Sequence, residues 1–445
     1  MAPPVRGGIP LGMTASPTTP NTSADVGVPM GAPSGPSVGA RSGTPSTTVS
    51  GLPPLVEPAA GLTAEETLRY SRHLIIPGFG MEAQLRLKNA RVLVIGAGGL
   101  GSPALLYLAA AGVGLLGIVD DDDVELSNLQ RQVIHGMGDL GRSKAESARA
   151  SILELNPLVD VVMHEERLDR GNALELFSQY DLIIDGTDNF ATRYLVNDAA
   201  AILGKPYVWG SILRFDGQVS VFWQGHGPTY RDLYPEAPPP GSVPSCAEGG
   251  VLGVLCAQIG SVMVNEAIKL ITGVGTTLLG RVLVFNALDM SWRELRVRPD
   301  PSAERITELI DYEQFCGLPS LGSGGDRAAG KGEDAPVPLV TVDELAELLA
   351  ARSAGSADFD LLDVRNPEEY AIVGIDGARL VPQHLILDGE ERIDAARPVI
   401  VHCKSGVRSA AVVRFLRAQG HPDARSVQGG ILEWVSRIEP GKPSY

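Results

Sequence analysis

A chain of 445 residues is too long for one ordinary core, and its composition, 44% hydrophobic and 20% charged, excludes a wholly disordered or fibrous protein. A net charge of −16 without any dense Lys/Arg block argues against nucleic acid as a partner. The 33 prolines and 52 glycines require at least one stretch that does not pack. Residues 1–60 are that stretch: they hold 12 of the prolines, are otherwise mostly Gly, Ser, Thr, Ala and Val, and are expected to form a disordered tail. Order is expected from LTAEETLRY, where Thr63 and Glu66 have the spacing of a helix capping box. Short apolar strands then alternate with helix-length segments over a first domain, 61–320. RVLVIGA, LLGIVD, DLIIDGTD and KPYVWGSI read as strands, with helices after Gly99, Gly141 and Asn189. This alternation predicts a Rossmann-like parallel sheet with helices on its faces. QVSVFW and RVLVFNA suggest added antiparallel strands, separated by a long proline-rich loop, HGPTYRDLYPEAPPPGSVPSCAEGG. Within the apolar run 251–272, Gln258, Asn265, Glu266 and Lys269 would be costly in lipid, so it reads as a buried helix and no membrane is expected. Residues 321–336 have the Gly, Ala and charge content of a flexible linker. Beyond them VTVDELAELLAAR, FDLLDVR, RPVIVHC and SAAVVRFLRAQG predict a second, smaller α/β unit over 337–445.

Four cysteines, Cys246, Cys256, Cys316 and Cys403, are widely spaced and without a CxxC pair. They form neither a disulfide framework nor a four-thiolate zinc site, which fits a reducing cytoplasm. The start of the sequence shows no basic segment followed by a continuous apolar core, so no secretory signal is expected.

Strand RVLVIGA runs into Gly96-Ala97-Gly98-Gly99-Leu100-Gly101, the fingerprint of a dinucleotide turn, and Asp120 closes the next strand where a ribose-binding carboxylate is expected. Gly96, Gly98, Gly99 and Gly101 let backbone amides approach phosphate at a helix start. Alone, this turn fits NAD, ATP or a plain strand-to-helix corner. Three motifs beyond it, in this order, discriminate: SNLQRQ at 127–132, Lys144 in GRSKAESA, then GTDN at 186–189. Arg131 and Lys144 supply more positive charge than one pyrophosphate needs and suit a triphosphate. Asp188 suits Mg²⁺ or the reacting group, although singly these cations could be solvated and Asp188-Asn189 could cap a helix.

RYSRH at 69–73, GAGGLG, Asp120, SNLQRQ, Lys144, GTDN and SCAEGGV together resemble the ubiquitin-activating-like adenylyltransferases that charge small sulfur-carrier proteins, the MoeB and ThiF family. The resemblance covers about residues 62–318. It implies that ATP is bound with Asp120 on the ribose. It assigns Asn128, Gln130, Arg131, Lys144 and Asn189 to the nucleotide, and Asp188 to Mg²⁺ and the acyl carboxylate. It further implies that Arg72 reaches the neighbouring subunit of a homodimer, and that Cys246 forms a thioester or resolves an acyl disulfide. One departure is plain. Members commonly bind a structural zinc through two CxxC pairs, but the first position here reads Thr229-Tyr230-Arg231-Asp232 and no pair follows VRPDP, so no zinc is expected.

In HCKSGVRSA at 402–410, Cys403 and Arg408 are separated by four residues at a strand-to-helix junction. Loop amides at the helix start, with Lys404 and Arg408, favour a thiolate nucleophile over the alternative of a buried apolar thiol. With DVRNPEEY at 363–370 and GGILEW at 429–434, this loop resembles a rhodanese domain. The resemblance implies a persulfide on Cys403 stabilised by the loop and Arg408, with Asp363 and Arg365 anchoring the fold. His402 reads as a strand-end residue and Cys256 as core.

As a whole the chain resembles fused adenylyltransferase/sulfurtransferases. The implied reaction is ATP-dependent adenylation of the C-terminal glycine of a small ubiquitin-like carrier ending in Gly-Gly, MoaD-like or ThiS-like, followed by sulfur transfer to give a thiocarboxylate. The sulfur would come from a cysteine desulfurase or thiosulfate. Two other readings stay open on the residues alone: an NAD-dependent oxidoreductase with an appended domain, and a carrier-binding scaffold without catalysis.

Overall fold

The structure, a computed structural model, describes residues 52–238, 249–316 and 337–445. Residues 1–51 of the expected tail, the expected linker at 321–336 and Cys246 lie outside the described residues. Packing begins earlier than the expected domain start at 61, which corrects the tail boundary. Leu52, Leu55 and Val56 sit against the first core, and the Leu55 N–H donates to Leu270 O at 3.1 Å. Three apolar residues spaced among prolines carry no periodic signal, so composition masked the contact. The capping box forms as expected, with Glu66 N donating to Thr63 Oγ1 at 3.1 Å and Thr63 N to Glu66 Oε2 at 2.6 Å.

The first domain is built on an eight-stranded mixed sheet in the order β3-β2-β1-β4-β5-β6-β7-β8. These are Asp160–His164 (β3), Leu115–Val119 (β2), Arg91–Ile95 (β1), Leu182–Asp185 (β4), Tyr207–Leu213 (β5), Asp216–Phe222 (β6), Arg281–Asn286 (β7) and Ser291–Arg296 (β8). The first five pair in parallel and the last three join antiparallel, as the two strand types in the sequence suggested. Along β1 the side chains alternate: Val92 and Val94 enter one core, Leu93 and Ile95 the other. Burial on both faces fits the continuous apolar run of a central parallel strand. Strand β1 lies between β2 and β4, with Ile95 level with Val119 and Asp185. The chain's order reverses there, opening a crevice beyond three carboxyl ends.

The helix Gly253–Thr272 is long and apolar enough to cross a membrane by composition, but it is a core helix. Leu255, Ile259, Met263, Ala267, Leu270 and Ile271 are all buried in the first core. Burying each large member of that set contributes roughly 1.5–3 kcal/mol.

At Thr229-Tyr230-Arg231-Asp232, where the sequence departs from the expected CxxC pair, Asp232 ties two segments together. Its Oδ2 accepts from Thr229 N at 2.7 Å and its Oδ1 from Asp300 N at 2.7 Å. Arg231 forms a two-pronged pair with Asp198 at 2.9 and 2.8 Å, and the Tyr312 hydroxyl donates to the same carboxylate at 2.8 Å. Asp232→Ala is expected to destabilise this domain by about 1 kcal/mol, read as a lower urea midpoint, because the part-buried Thr229 N–H loses its acceptor while the exposed Asp300 N–H turns to water. Stoichiometric zinc in purified protein would overturn the reading that this clasp replaces a metal.

The second domain is a five-stranded parallel sheet in the order β11-β10-β12-β13-β9. Its strands are Leu339–Val340 (β9), Asp360–Asp363 (β10), Arg379–Leu380 (β11), Val399–His402 (β12) and Ala424–Val427 (β13). Asp363 stands level with His402, so the loops that follow β10 and β12 emerge side by side. Asp363 and Arg365 are fully buried and paired, with Arg365 Nε at 2.9 Å and Nη2 at 2.5 Å from the carboxylate. This is the anchoring arrangement expected for them.

Candidate functional site

The crevice at the end of β1 is a cleft of about 350 Å³, within the range of small-molecule sites. Gly96, Gly98, Gly99, Asp120, Arg131, Lys144, Asp188 and Asn189 all line it. Gly96 has φ +87°, and a Cβ on Gly101 would stand 1.8 Å from Gly96 O, so the turn into the helix Gly101–Ala111 closes only with glycine at both positions. Asp120 accepts from Ala97 N at 2.7 Å and from Asp122 N at 3.0 Å, which fixes the carboxylate and leaves lone pairs for hydroxyl donors. Burial raises its proton affinity, and Lys144 and the two N–H donors only partly offset this. Lys144 is buried, with Nζ 2.7 Å from Asp122 Oδ2. Arg131 is half-buried, with Nη1 held by Ser127 O at 3.1 Å.

Other expected residues are placed differently. Asn128 is buried and caps its own turn, its Oδ1 accepting from Glu125 N at 3.1 Å, so it positions SNLQRQ and does not line the cleft. Gln130 is exposed and lies beside Gly253, where a Cβ would be 2.3 Å from its carbonyl oxygen. Asn189 lines the cleft, but its Oδ1 accepts from Thr192 N at 2.8 Å and caps the helix Phe190–Leu203. Arg72 is exposed on the turn Ser71–Leu74, outside the cleft of its own chain.

Several residues escaped the sequence reading. His135 bridges Ala97 O (3.1 Å) to Ser147 Oγ (2.8 Å), bracing the glycine turn against the helix Lys144–Leu155. Burial pushes its imidazole down, so it acts as a neutral strut donating through Nε2. Gln132 and Arg193 line the cleft, and Arg193 holds Thr187 O at 3.0 Å. Asp185 is fully buried and receives the Thr187 hydroxyl at 2.7 Å; burial raises its carboxyl. His135 sits three residues beyond SNLQRQ and Arg193 four beyond Asn189, signals of proximity that a single sequence does not separate from core.

In the second domain Cys403 is buried at the start of the loop leading into the helix Val407–Ala418. Its Sγ accepts from Gly406 N at 3.1 Å and from Ser409 Oγ at 3.5 Å, and Ser409 in turn contacts Ser426 Oγ at 2.8 Å. Gly406, at φ +107°, turns its amide to the sulfur. The loop is pinned from the helix Gly430–Arg437, whose Ile431 N donates to Cys403 O at 2.9 Å and Leu432 N to Lys404 O at 3.2 Å. Arg408 reaches the loop, but both of its Nη groups donate to Glu369, each at 2.7 Å. Burial raises the Glu369 carboxyl, but the Arg408 bonds and the Asn366 N–H outweigh it and hold the group below its ordinary range. His402 is fully buried, and burial pushes it down to about 4, so it stays neutral and is no base, as its strand-end position suggested. Cys256 is buried beneath Gly99, as expected of a core thiol.

Comparison with known proteins divides the chain at the same place. The ThiF family matches residues 70–305 and the rhodanese-like domain residues 341–437. The chain is 58% identical to the probable adenylyltransferase/sulfurtransferase MoeZ of Mycobacterium tuberculosis, over 89% of this chain and all of that protein. It is 40% identical to adenylyltransferase and sulfurtransferase MOCS3 of Drosophila ananassae, over 86% of each. A crystal structure of PaaA is similar over 54% of this chain and 76% of that one, with 25% identity and a TM-score of 0.47. With a glycine-turn cleft in one domain, a cysteine cradle in the other, and this likeness along nearly the whole chain, the protein belongs to the ThiF family of ATP-using enzymes, among the fused adenylyltransferase/sulfurtransferases with a rhodanese-like domain.

Proposed function

We propose that the protein adenylates the C-terminal glycine of a small ubiquitin-like sulfur-carrier protein and then exchanges the activated oxygen for sulfur delivered by Cys403. The single observation that carries this reading is the gathering of Asp120, Arg131, Lys144 and Asp188 around one glycine turn, a donor set richer than a dinucleotide pyrophosphate requires. Asp120 binds the ribose. Arg131, and Lys144 once it leaves Asp122, take up phosphate charge as the carrier carboxylate attacks the α-phosphorus and diphosphate leaves. Asp188 is exposed at the cleft and accepts no hydrogen bond from a described residue, which fits a ligand for Mg²⁺. Asp188 would hold such an ion, which would supply charge neutralisation for the phosphates.

In the second step the terminal sulfur of a Cys403 persulfide attacks the acyl carbon, the carbonyl–oxygen bond to AMP breaks, and an acyl disulfide to Cys403 remains. Attack on Cys403 Sγ by the Cys246 thiolate, or by an external thiol, expels the carrier thiocarboxylate and leaves a disulfide for later reduction. The persulfide is loaded by a cysteine desulfurase or thiosulfate. The first domain, which begins by Leu52, and the second over 337–445 are joined by a linker at 321–336 that raises the effective concentration of one site at the other. The enzyme works in the cytoplasm as a homodimer, with Arg72 serving the neighbouring cleft. Incubating a diglycine-ended carrier with ATP, Mg²⁺ and thiosulfate should yield carrier with one oxygen replaced by sulfur on intact-mass analysis. A carrier that returns unmodified, with no diphosphate released, would sink the proposal.

A further inference from the structure

The loop around Cys403 ends on Arg408, and what holds Arg408 lies far away in sequence. Its two Nη groups are clamped by Glu369, in the helix Pro367–Ile372. The same carboxylate receives a third side-chain donor, the Tyr445 hydroxyl, at 2.9 Å on Oε1. That hydroxyl accepts from Arg365 Nη1 at 2.7 Å, and Arg365 is locked to buried Asp363. The Tyr445 ring also lies 4.8 Å from Lys404 Nζ, the residue directly after the nucleophile. One half-buried side chain therefore meets both cations of the cradle, Lys404 through its ring and Arg408 through Glu369. Burial pushes the phenol up, so it stays protonated and donates to the carboxylate. The segment carrying it is seated by Ile438 N on Trp434 O at 2.8 Å and by Lys442 Nζ on Gly374 O at 3.2 Å.

We infer that Tyr445 is a positioning residue for sulfur transfer: its hydroxyl shares the charge of Glu369, and so sets how firmly Arg408 is withdrawn from, or yielded to, the sulfur on Cys403. The inference rests on Cys403 being the sulfur carrier. A persulfide, and the sulfur it passes on, are anionic and gain from a guanidinium nearby. An Arg408 clamped by a bare carboxylate is a weaker source of that field. With the hydroxyl donating, Glu369 is already partly satisfied and holds the guanidinium less exclusively.

Tyr445→Phe keeps the ring under Lys404 and removes the hydroxyl alone. Measured in the full-length protein as sulfur transfer from thiosulfate to cyanide, it should lower kcat about tenfold, the scale of one hydrogen bond to a charged group, with KM for thiosulfate changed less than about twofold. Glu369→Gln removes the charge through which the hydroxyl acts. In that background Tyr445→Phe should have no further effect on kcat, whereas a hydroxyl that only seats the chain would cost the same in both backgrounds. A wild-type kcat in Tyr445→Phe, or equal losses with and without Glu369, overturns the inference. Cys403→Ala, run alongside, separates the two claims: full cyanide turnover in it would overturn the role of Cys403 itself, whatever Tyr445 does.

Discussion

Cys403→Ala is expected to abolish thiocarboxylate formation on a carrier protein while carrier-dependent exchange of diphosphate into ATP continues at the wild-type rate. The substitution removes one sulfur from a loop that is pinned mainly through other atoms. Ile431 N still bonds the carbonyl of residue 403 and Leu432 N that of Lys404, because both acceptors are main-chain atoms. The stability cost of deleting a small buried group is about 1 kcal/mol, too little to unfold a domain of this size. The Gly406 N–H and the Ser409 hydroxyl lose the atom they now address, and no second thiol lies in that loop. Intact-mass analysis of the carrier, paired with labelled-diphosphate exchange, reads the two halves separately. Sulfur on the carrier in this variant would show that Cys403 is a bystander.

The complementary loss is expected from Arg131→Ala and from Asp188→Ala, each lowering diphosphate exchange by about 10²–10³-fold, the scale seen when one preorganised electrostatic contribution to the transition state is removed. Arg131 enters the cleft from a turn braced by Asn128, and Nη1 is fixed on Ser127 O, so its position is set before nucleotide arrives. Lysine is a poor substitute there because a point charge lacks the planar fork. Thiosulfate:cyanide turnover at Cys403 should be unchanged in both variants. Normal exchange in either would mean that the cleft uses nucleotide in another way.

The order of strands and helices was legible because both periodicities are strong here: apolar runs ending in glycine turns, and a capping box at Thr63 that forms as written. The cleft was legible where chemistry and backbone coincide, at Gly96, Gly101, Asp120, Arg131 and Lys144. It was not legible where a polar side chain serves the fold. Asn128 and Asn189 sit inside telling motifs, yet their oxygens cap turns, a role that spacing does not separate from ligand binding. His135 and Tyr445 bond to partners 38 and 76 residues away in sequence, and only the folded chain shows those partners. Leu52 to Val56 show the reverse error, a few apolar side chains finding a surface inside a composition that reads as unfolded.

The long helix behind the glycine turn constrains how this enzyme can diverge. A methyl on Gly99 would meet Cys256 Sγ at 2.8 Å, one on Gly260 would meet Pro103 at 2.5 Å and Leu100 O at 3.1 Å, and one on Gly210 would meet Met263 Sδ at 2.4 Å. The cradle is thus propped from its rear by Cys256, Pro103 and Met263, none of which lines the cleft. Altering cofactor preference by varying the front wall alone leaves that scaffold unchanged, whereas repacking Cys256 or Met263 shifts the amides themselves. Directed evolution toward another nucleoside triphosphate should therefore draw its productive changes from both layers together, with the rear layer supplying displacement and the front layer selectivity.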